Sequence, residues 1–147
     1  MIYRIAIGII VDGKWKFSHY AAEYELETLR VNVKGTVQEA VGVKRISGKL
    51  DGLVWKDVSE THKVEWGFVA NGNKYYHNDI CKSVTSLSSY DPIGTLFNIE
   101  YDNDTASFWL TSEHDSEIQI SVLCPILDEC IKVIGNINKI PEILEKS

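Results

Sequence analysis

The chain has 147 residues, of which 44% are hydrophobic and 24% are charged. These values are those of an ordinary globular protein, and they argue against the collagen-like, coiled-coil and intrinsically disordered classes. A chain of this length commonly folds around one hydrophobic core. We therefore expect a single domain that spans residues 1–147.

The N-terminal segment argues against a membrane span and against a secretion signal. The apolar run from Ile5 to Val11 is far shorter than the ~20 residues that cross a bilayer. The residues after Arg4 also lack the apolar core and the small-residue cleavage site of a signal peptide. We therefore expect an intracellular protein with no membrane attachment.

The formal net charge is −6, and the charges are unevenly distributed along the chain. Residues 1–50 hold eight Lys and Arg against five Asp and Glu, whereas residues 51–147 hold seven against sixteen. An acidic protein repels phosphates, so the sequence argues against nucleic-acid binding by this domain alone. A chain with one basic and one acidic part can pair with a protein partner or with copies of itself, because complementary potentials steer association.

The chain begins with two predicted strands joined by a turn. Tyr3 to Val11 is rich in Ile and Val, and the alternation Trp15-Lys16-Phe17 follows Asp12-Gly13. An Asp-Gly pair between two such segments predicts a β-hairpin, since both residues tolerate positive φ. Glu27 to Val33 predicts a further strand, because apolar and polar residues alternate along it.

A helix is predicted from Val37 to about Ile46. Thr36 is a suitable N-cap, and Glu39 follows at the spacing of a capping box. Gly48 is a natural C-terminal stop. We expect this helix to be the main helix of the fold.

The middle of the chain gives fewer indications. Asn71-Gly72 separates Val64 to Ala70 from Lys74 to Tyr76 and predicts a second hairpin. Leu53 to Trp55 has the composition of a short strand. The segment from Asp79 to Pro92 is rich in polar residues, and we expect it to be mostly loop.

The last third alternates strands and short helices in the prediction. Leu96 to Ile99 predicts a buried strand. Acidic residues favour a helix N-terminus, so Asp102 to Asp104 predict a short helix that continues to Leu110. Ile118 to Leu123 alternates as a strand does, and Pro141 to Lys146 predicts a last helical turn.

Together these elements predict an α+β fold. A mixed sheet packs against one main helix, with an additional short helix and an inserted middle segment from about residue 47 to residue 95. The 23 residues after Cys124 have no clear assignment in this scheme.

Several segments, in this order and spacing, resemble the N-terminal domain of plant MuDR-type (Mutator-like) transposases. That domain has a ubiquitin-like fold similar to the Phox-and-Bem interaction domain. The matching segments cover about half of the chain. They are Asp12-Gly13-Lys14-Trp15, Leu29 to Val33, Thr36 to Glu39, Phe97 to Leu110 and Ile118 to Cys124.

The resemblance implies a ubiquitin-like protein–protein interaction domain, with a nuclear location. The Phox-and-Bem fold pairs a basic face on early strands with an acidic turn of another copy. In this sequence the basic face would consist of Lys14, Lys16, Arg30 and Lys34. The acidic turn would consist of Glu100, Asp102 and Asp104, whose carboxylates accept charge-assisted hydrogen bonds.

Common catalytic signatures are absent from the sequence. It contains no G-x-x-x-x-G-K-[ST], G-x-G-x-x-G, H-E-x-x-H or G-x-S-x-G motif. The four histidines are scattered, and we interpret them as surface residues. The three cysteines include no C-x-x-C pair, and we interpret them as buried thiols.

One local group of residues suggests chemistry. His77, Asp79 and Cys81 lie close together in the sequence, and a Cys-His pair there is the less favoured interpretation. The sequence therefore predicts a non-catalytic protein with no cofactor and no metal.

Two alternatives to the ubiquitin-like domain stay open. Val64 to Gly67, Pro92 to Phe97 and Ser107 to Trp109 loosely resemble the paired strands of SPRY-type β-sandwich recognition domains. A small effector or inhibitor that binds a partner protein is also compatible with an acidic chain of this length.

Overall fold

The structure is a computed structural model, and it describes residues 1–32, 34–46 and 49–138. The chain divides into two compact units. The N-terminal unit is Arg4–Val64, and the C-terminal unit holds Met1–Tyr3 together with the residues from Glu65 onward.

The described residues consist mainly of β-strands joined by short turns. In chain order, the elements up to residue 57 are β1 (Ile2–Val11), β2 (Lys14–Tyr20), α1 (Glu23–Leu26), β3 (Leu29–Val31), β4 (Val37–Ile46) and β5 (Lys49–Asp57). The following elements are β6 (His62–Ala70), β7 (Asn73–Tyr76), β8 (Asp79–Ser83), β9 (Leu96–Asp102), β10 (Ser107–Ser112), β11 (Glu117–Gln119), α2 (Ile120–Leu123), a 3-10 turn (Cys124–Ile126), α3 (Leu127–Cys130) and β12 (Ile131–Asn136).

The predicted α+β fold class is wrong. Each helix in the described residues has at most four residues, and the strands form antiparallel sheets. The described part of the chain therefore offers no main helix against which a ubiquitin-like mixed sheet could pack. None of these helices is long enough to cross a membrane.

The predicted hairpin at Asp12-Gly13 is confirmed. Asp12 has a φ of 52° and Gly13 a φ of 75°, so both turn residues adopt the left-handed conformation that tight hairpin turns require. Strands β1 and β2 pair from Val11 opposite Lys14, and the register shifts between Ile7 and Gly8.

The indole of Trp15 lies directly against Gly8, where a larger side chain would not fit. A Cβ atom built on Gly8 would stand 2.5 Å from the carbonyl oxygen of Lys16 and would overlap the Trp15 ring. The Trp15 Nε1–H donates to the carbonyl oxygen of Thr61 at 2.9 Å, and the Gly8 N–H donates to the same oxygen at 2.8 Å. Gly8 is therefore required for the packing of Trp15.

Strands β3, β4 and β5 form a three-stranded antiparallel sheet in the N-terminal unit. Strand β4 occupies residues 37–46, where the sequence predicted the main helix, so that prediction is wrong. Val37 is fully buried, and Glu39 lies opposite Leu29 of β3. The segment is rich in β-branched residues, which crowd a helix and pack well in a sheet.

The predicted capping box at Thr36 is replaced by a turn. The Thr36 N–H donates to Asn32 Oδ1 at 2.9 Å, and the Lys34 N–H donates to the same oxygen at 3.0 Å. The Val37 N–H donates to Ser59 Oγ at 2.9 Å. Because these amides are satisfied by Asn32 and Ser59, the chain enters a strand rather than a helix.

The C-terminal unit contains a five-stranded antiparallel sheet with the order β11-β10-β9-β8-β12. One face of this sheet carries the hydrophobic core, in which Phe97, Ile99, Leu110 and Leu127 are fully buried. Strand β8 occupies part of the segment from Asp79 to Pro92 that was predicted to be mostly loop.

The second predicted hairpin, at Asn71-Gly72, is also confirmed. It joins β6 to β7, with a φ of 51° at Asn71 and 81° at Gly72. The Asn71 side chain also donates from Nδ2 to the carbonyl oxygen of Pro125 at 3.1 Å and to Asp128 Oδ1 at 2.8 Å. This turn therefore attaches the β6–β7 hairpin to the segment before β12.

The short helix predicted from Asp102 to Leu110 is a hairpin turn followed by strand β10. Ala106 has a φ of 51°, which a right-handed helix does not allow. The strand predicted from Ile118 to Leu123 is partly wrong, since β11 ends at Gln119 and α2 follows. Gly48 and the helical turn predicted at Pro141 to Lys146 lie outside the described residues.

We expect the substitution Gly8→Ala to lower the free energy of unfolding by roughly 2 kcal/mol or more, because the new methyl group would overlap the Trp15 ring and the backbone of Lys16. Urea denaturation followed by tryptophan fluorescence measures this change. Gly13→Asn is the matched control, since its site is open and asparagine tolerates positive φ. Equal stability of the two variants would contradict the packing of Trp15 on Gly8.

Candidate functional site

A groove of about 360 Å³ lies on the five-stranded sheet of the C-terminal unit. We call it the acidic groove, and its lining residues are Glu100, Tyr101, Asp102, Trp109, Thr111 and Glu117. They come from three neighbouring strands, β9, β10 and β11. Three of the six carry carboxylates, and Trp109 places a partly buried indole among them.

Strand alternation places Glu100, Asp102, Trp109 and Thr111 on the face opposite the core, whereas the Tyr101 ring lies on the core side against Phe108. In β9 and β10 the buried residues Phe97, Ile99 and Leu110 face the core, so their sequence neighbours face the other side. Trp109 lies opposite Glu100 in the ladder between β9 and β10. Directly opposite residues share a face, which brings these two side chains together.

The register with β11 completes the groove. Thr111 pairs with Glu117, and Trp109 pairs with Gln119. Trp109 therefore lies on the central strand of the three, with Glu100 on one neighbouring strand and Glu117 on the other.

Two hydrogen bonds hold three of the groove side chains in place. Thr111 Oγ1 donates to Glu100 Oε2 at 3.2 Å, and Trp109 Nε1 donates to Ser107 Oγ at 3.0 Å. In the described part of the chain the carboxylate of Glu117 has no hydrogen bond or ion pair, and the residue is exposed. The groove thus presents an oriented indole and carboxylate oxygens that can still accept hydrogen bonds.

Asp102 both lines the groove and organises the turn between β9 and β10. Its Oδ1 accepts the Asp104 N–H at 3.0 Å, and its Oδ2 accepts the Thr105 hydroxyl at 3.0 Å. Asp104 is exposed on the turn and does not line the groove. Of the three acidic residues predicted from the sequence, Glu100 and Asp102 therefore contribute to the groove.

The predicted basic residues are divided between two sheets, since β2 and β3 belong to different ones. Lys14 and Lys16 are both exposed on β2, two residues apart and on the same side of the strand. Arg30 lies on β3, where its guanidinium is 4.2 Å from the centroid of the Trp55 ring and its Nε donates to Gln38 at 2.7 Å. Lys34 is exposed in the turn between β3 and β4.

Trp109, Thr111 and Glu117 were not predicted as site residues. A helical interpretation of residues 102–110 hides their alternation, because it does not place Trp109 and Thr111 on one face. Had Ser107 to Ser112 been interpreted as a strand, Trp109 would share a face with the polar residues two positions before and after it, Ser107 and Thr111, which indicates an exposed aromatic residue.

His77 supports the backbone of the strand that carries Glu100. Its Nδ1 accepts the Tyr101 N–H at 2.9 Å, so the proton of the neutral ring is on Nε2. Burial lowers the pKa of His77 below its usual value, although the nearby carboxylates of Glu65, Glu100 and Asp79 act to raise it. Protonation of Nδ1 would remove the acceptor for the Tyr101 N–H.

Cys81 is fully buried in the core of the C-terminal unit. Burial raises the pKa of its thiol, and the nearby Asp79 raises it further. Asp79 accepts hydrogen bonds from the Tyr76 N–H at 2.9 Å and from Asn136 Nδ2 at 3.0 Å. A protonated thiol inside the core is not a nucleophile, so the structure argues against the Cys-His pair considered for His77, Asp79 and Cys81.

Within residues 1–32, 34–46 and 49–138, no three His, Cys, Asp or Glu side chains are arranged so that they could hold a metal ion. This holds for the acidic groove as well.

We expect the stability of the protein to fall as the pH is lowered below the ordinary histidine pKa of 6.5, because the unfolded chain takes up a proton at His77 that the folded chain resists. The loss begins near that value and is complete once the folded histidine is also protonated. Urea denaturation between about pH 7.5 and about pH 5 measures it.

His77→Asn is the informative variant for this prediction, since the asparagine oxygen can accept the Tyr101 N–H without titrating. It should lose part of the pH dependence. His114→Asn, at an exposed position, serves as the control and should keep it. An unchanged pH profile in His77→Asn would show that His77 is not responsible.

Comparison with known proteins gives no family for the chain. No family model matches the sequence, and no curated protein matches it. Among solved structures, the chain is similar to protein yopX from Bacillus subtilis, at 19% sequence identity and a TM-score of 0.49 over 97% of this chain and 94% of that one. The resemblance to MuDR-type transposases therefore stays a prediction, without the ubiquitin-like fold that it implied.

Proposed function

We propose that this protein is a non-catalytic binding domain whose acidic groove docks a basic segment of a partner protein. The observation that carries the proposal is the position of Trp109, an oriented and partly exposed indole with Glu100 and Glu117 on the neighbouring strands. The groove suits a lysine or arginine side chain, which offers both a positive charge and an apolar stem.

The chemistry of the groove favours a cation with several hydrogen-bond donors. Carboxylates accept charge-assisted hydrogen bonds from ammonium and guanidinium groups. The face of an indole attracts the same cations through its quadrupole. The two interactions act on one bound side chain at the same time, so Trp109 and Glu100 together favour a basic residue over a neutral one.

The charge of the C-terminal unit supports the same partner. From Glu65 to the end of the sequence there are five Lys and Arg against thirteen Asp and Glu. This excess of negative charge steers basic segments toward the unit and repels phosphates. A protein segment is therefore a better candidate for the groove than a nucleic acid.

The sheet that carries the groove is a suitable support for recognition. Its opposite face is fixed by the buried side chains of Phe97, Ile99 and Leu110, so the groove residues stand on a rigid backbone. Little ordering is then needed when a partner binds, which lowers the entropic cost of association.

We expect a fluorescent peptide of alternating glycine and lysine or arginine to bind, and its affinity to fall with added salt. In Glu100→Gln/Glu117→Gln the affinity should be about 2- to 30-fold weaker, because two exposed ion pairs are lost and each contributes about 0.2–1 kcal/mol. Fluorescence anisotropy titration measures both effects. Glu129→Gln, at an exposed position on α3, should leave the affinity unchanged.

The same peptide with glutamine at the basic positions tests the role of charge. The proposal requires that this neutral peptide binds much more weakly than the basic one. If the two peptides bind equally, or if Glu129→Gln weakens binding as much as the groove variant does, the acidic groove is not the site.

A further inference from the structure

A second cavity, of about 440 Å³, lies in the C-terminal unit at the place where β11 ends. Phe68 of β6 and Phe108 of β10 line it with partly buried rings, whose centroids are 4.8 Å apart. The buried side chain of Ile120, at the start of α2, also lines the cavity. We call this cavity the aromatic pocket.

The early end of β11 opens the aromatic pocket. The last residue of β11, Gln119, lies opposite Trp109, and the chain then turns into α2. Among the residues that the structure describes, Ser107 and Phe108 therefore have a neighbouring strand on the β9 side alone. The edge of the sheet is uncovered beside Phe108, so a side chain of another molecule can reach the ring.

The aromatic pocket adjoins the acidic groove. Asp102 of the groove lies opposite Ser107 of the pocket, and Trp109 of the groove lies opposite Gln119 of the pocket. Directly opposite side chains share a face of the sheet. The two cavities therefore meet along these two cross-strand pairs, and one extended segment can enter both.

The chemistry of the two cavities differs. None of the described residues that line the aromatic pocket carries a charge, whereas the groove holds three carboxylates. Phenyl rings such as those of Phe68 and Phe108 favour a further aromatic ring in an edge-to-face or offset arrangement. The volume lies within the range of about 300–1,000 Å³ that is usual for binding pockets with an apolar lining and a few polar groups.

The spacing of the two cavities matches an extended peptide. Ser107 and Trp109 are two residues apart on β10, so their Cα atoms are about 7 Å apart. Side chains two residues apart on an extended peptide point the same way and have the same separation. A basic residue beside Trp109 therefore places the side chain two positions away at the aromatic pocket.

We propose that the segment bound by the acidic groove carries an aromatic residue two positions from its basic residue, and that the aromatic pocket binds this ring. The inference rests on the proposed function of the groove and names the class of segment that the groove selects. Recognition then depends on two neighbouring features of the partner. A basic segment without the aromatic residue binds more weakly.

Two fluorescent peptides test the inference. Each has a central arginine flanked by glycines, and the positions two residues before and two residues after the arginine are both phenylalanine in one peptide and both alanine in the other. The symmetric design presents an aromatic ring to the pocket in either direction of binding. Anisotropy titration should show about 10-fold tighter binding of the phenylalanine peptide, because a ring is removed from water.

Ser121→Trp is the informative variant. Ser121 is exposed and lines the aromatic pocket, so the indole would occupy the space of the bound ring. This variant should bind the two peptides with equal affinity. Ser89→Trp, the same substitution at an exposed serine that lines neither cavity, should keep the 10-fold preference. Thermal melts of both variants check that they are folded.

The outcomes separate this inference from the proposed function. If the wild-type protein binds both peptides equally, the inference is overturned, and the proposed function stands provided that Glu100→Gln/Glu117→Gln still weakens binding. A preference for phenylalanine that is unchanged in Ser121→Trp would place the ring elsewhere and would also overturn the inference. If neither peptide depends on Glu100 and Glu117, both the proposed function and the inference are wrong.

Discussion

The antiparallel register of β9 and β10 is the constraint on which the C-terminal unit depends. Along these strands, alternate side chains enter the core as Phe97, Ile99 and Leu110, and the residues between them form the acidic groove. A shift of one residue would exchange the two faces, exposing the apolar side chains and burying the carboxylates. The same pairing that gives the unit its core therefore also assembles its candidate site, although the two sets of residues make separate contributions.

Because core and groove residues are separate, substitutions on the two faces of the sheet have different effects. Substitutions in the groove remove no buried apolar surface, so they alter charge and recognition with little effect on stability. Substitutions of Phe97 or Leu110 leave cavities that cost several kcal/mol, about 2–5 for a large aliphatic residue replaced by alanine. His77 contributes differently. It is not part of the buried core, but its Nδ1 accepts the N–H of Tyr101, the residue next to Glu100 of the groove.

The sequence predicted the local turns well and the overall fold badly. Asp12-Gly13 and Asn71-Gly72 were recognised because a tight hairpin needs positive φ at both residues, and this requirement depends on nothing distant. Thr36 and Asp102 were misinterpreted as helix starts because the side chains that cap helices also close turns: Asn32 binds the Thr36 N–H, and Asp102 binds the Asp104 N–H. Glu100 and Asp102 were proposed as site residues through a family resemblance, whereas Trp109 and Glu117 require the strand register, which residue spacing alone does not give.

The turn at Asn71 also bears on the chemical ageing of the chain. An asparagine followed by glycine is prone to deamidation, in which the next backbone nitrogen attacks the side-chain amide and ammonia leaves. Here that amide is engaged with the Pro125 carbonyl oxygen and with Asp128, and its Nδ2 is 2.8 Å from the aspartate oxygen. Hydrolysis would replace this donor with a carboxylate facing Asp128, so an attraction between two segments would become a repulsion. Deamidation of Asn71 would therefore turn the contact that attaches the β6–β7 hairpin to Asp128 from an attractive one into a repulsive one.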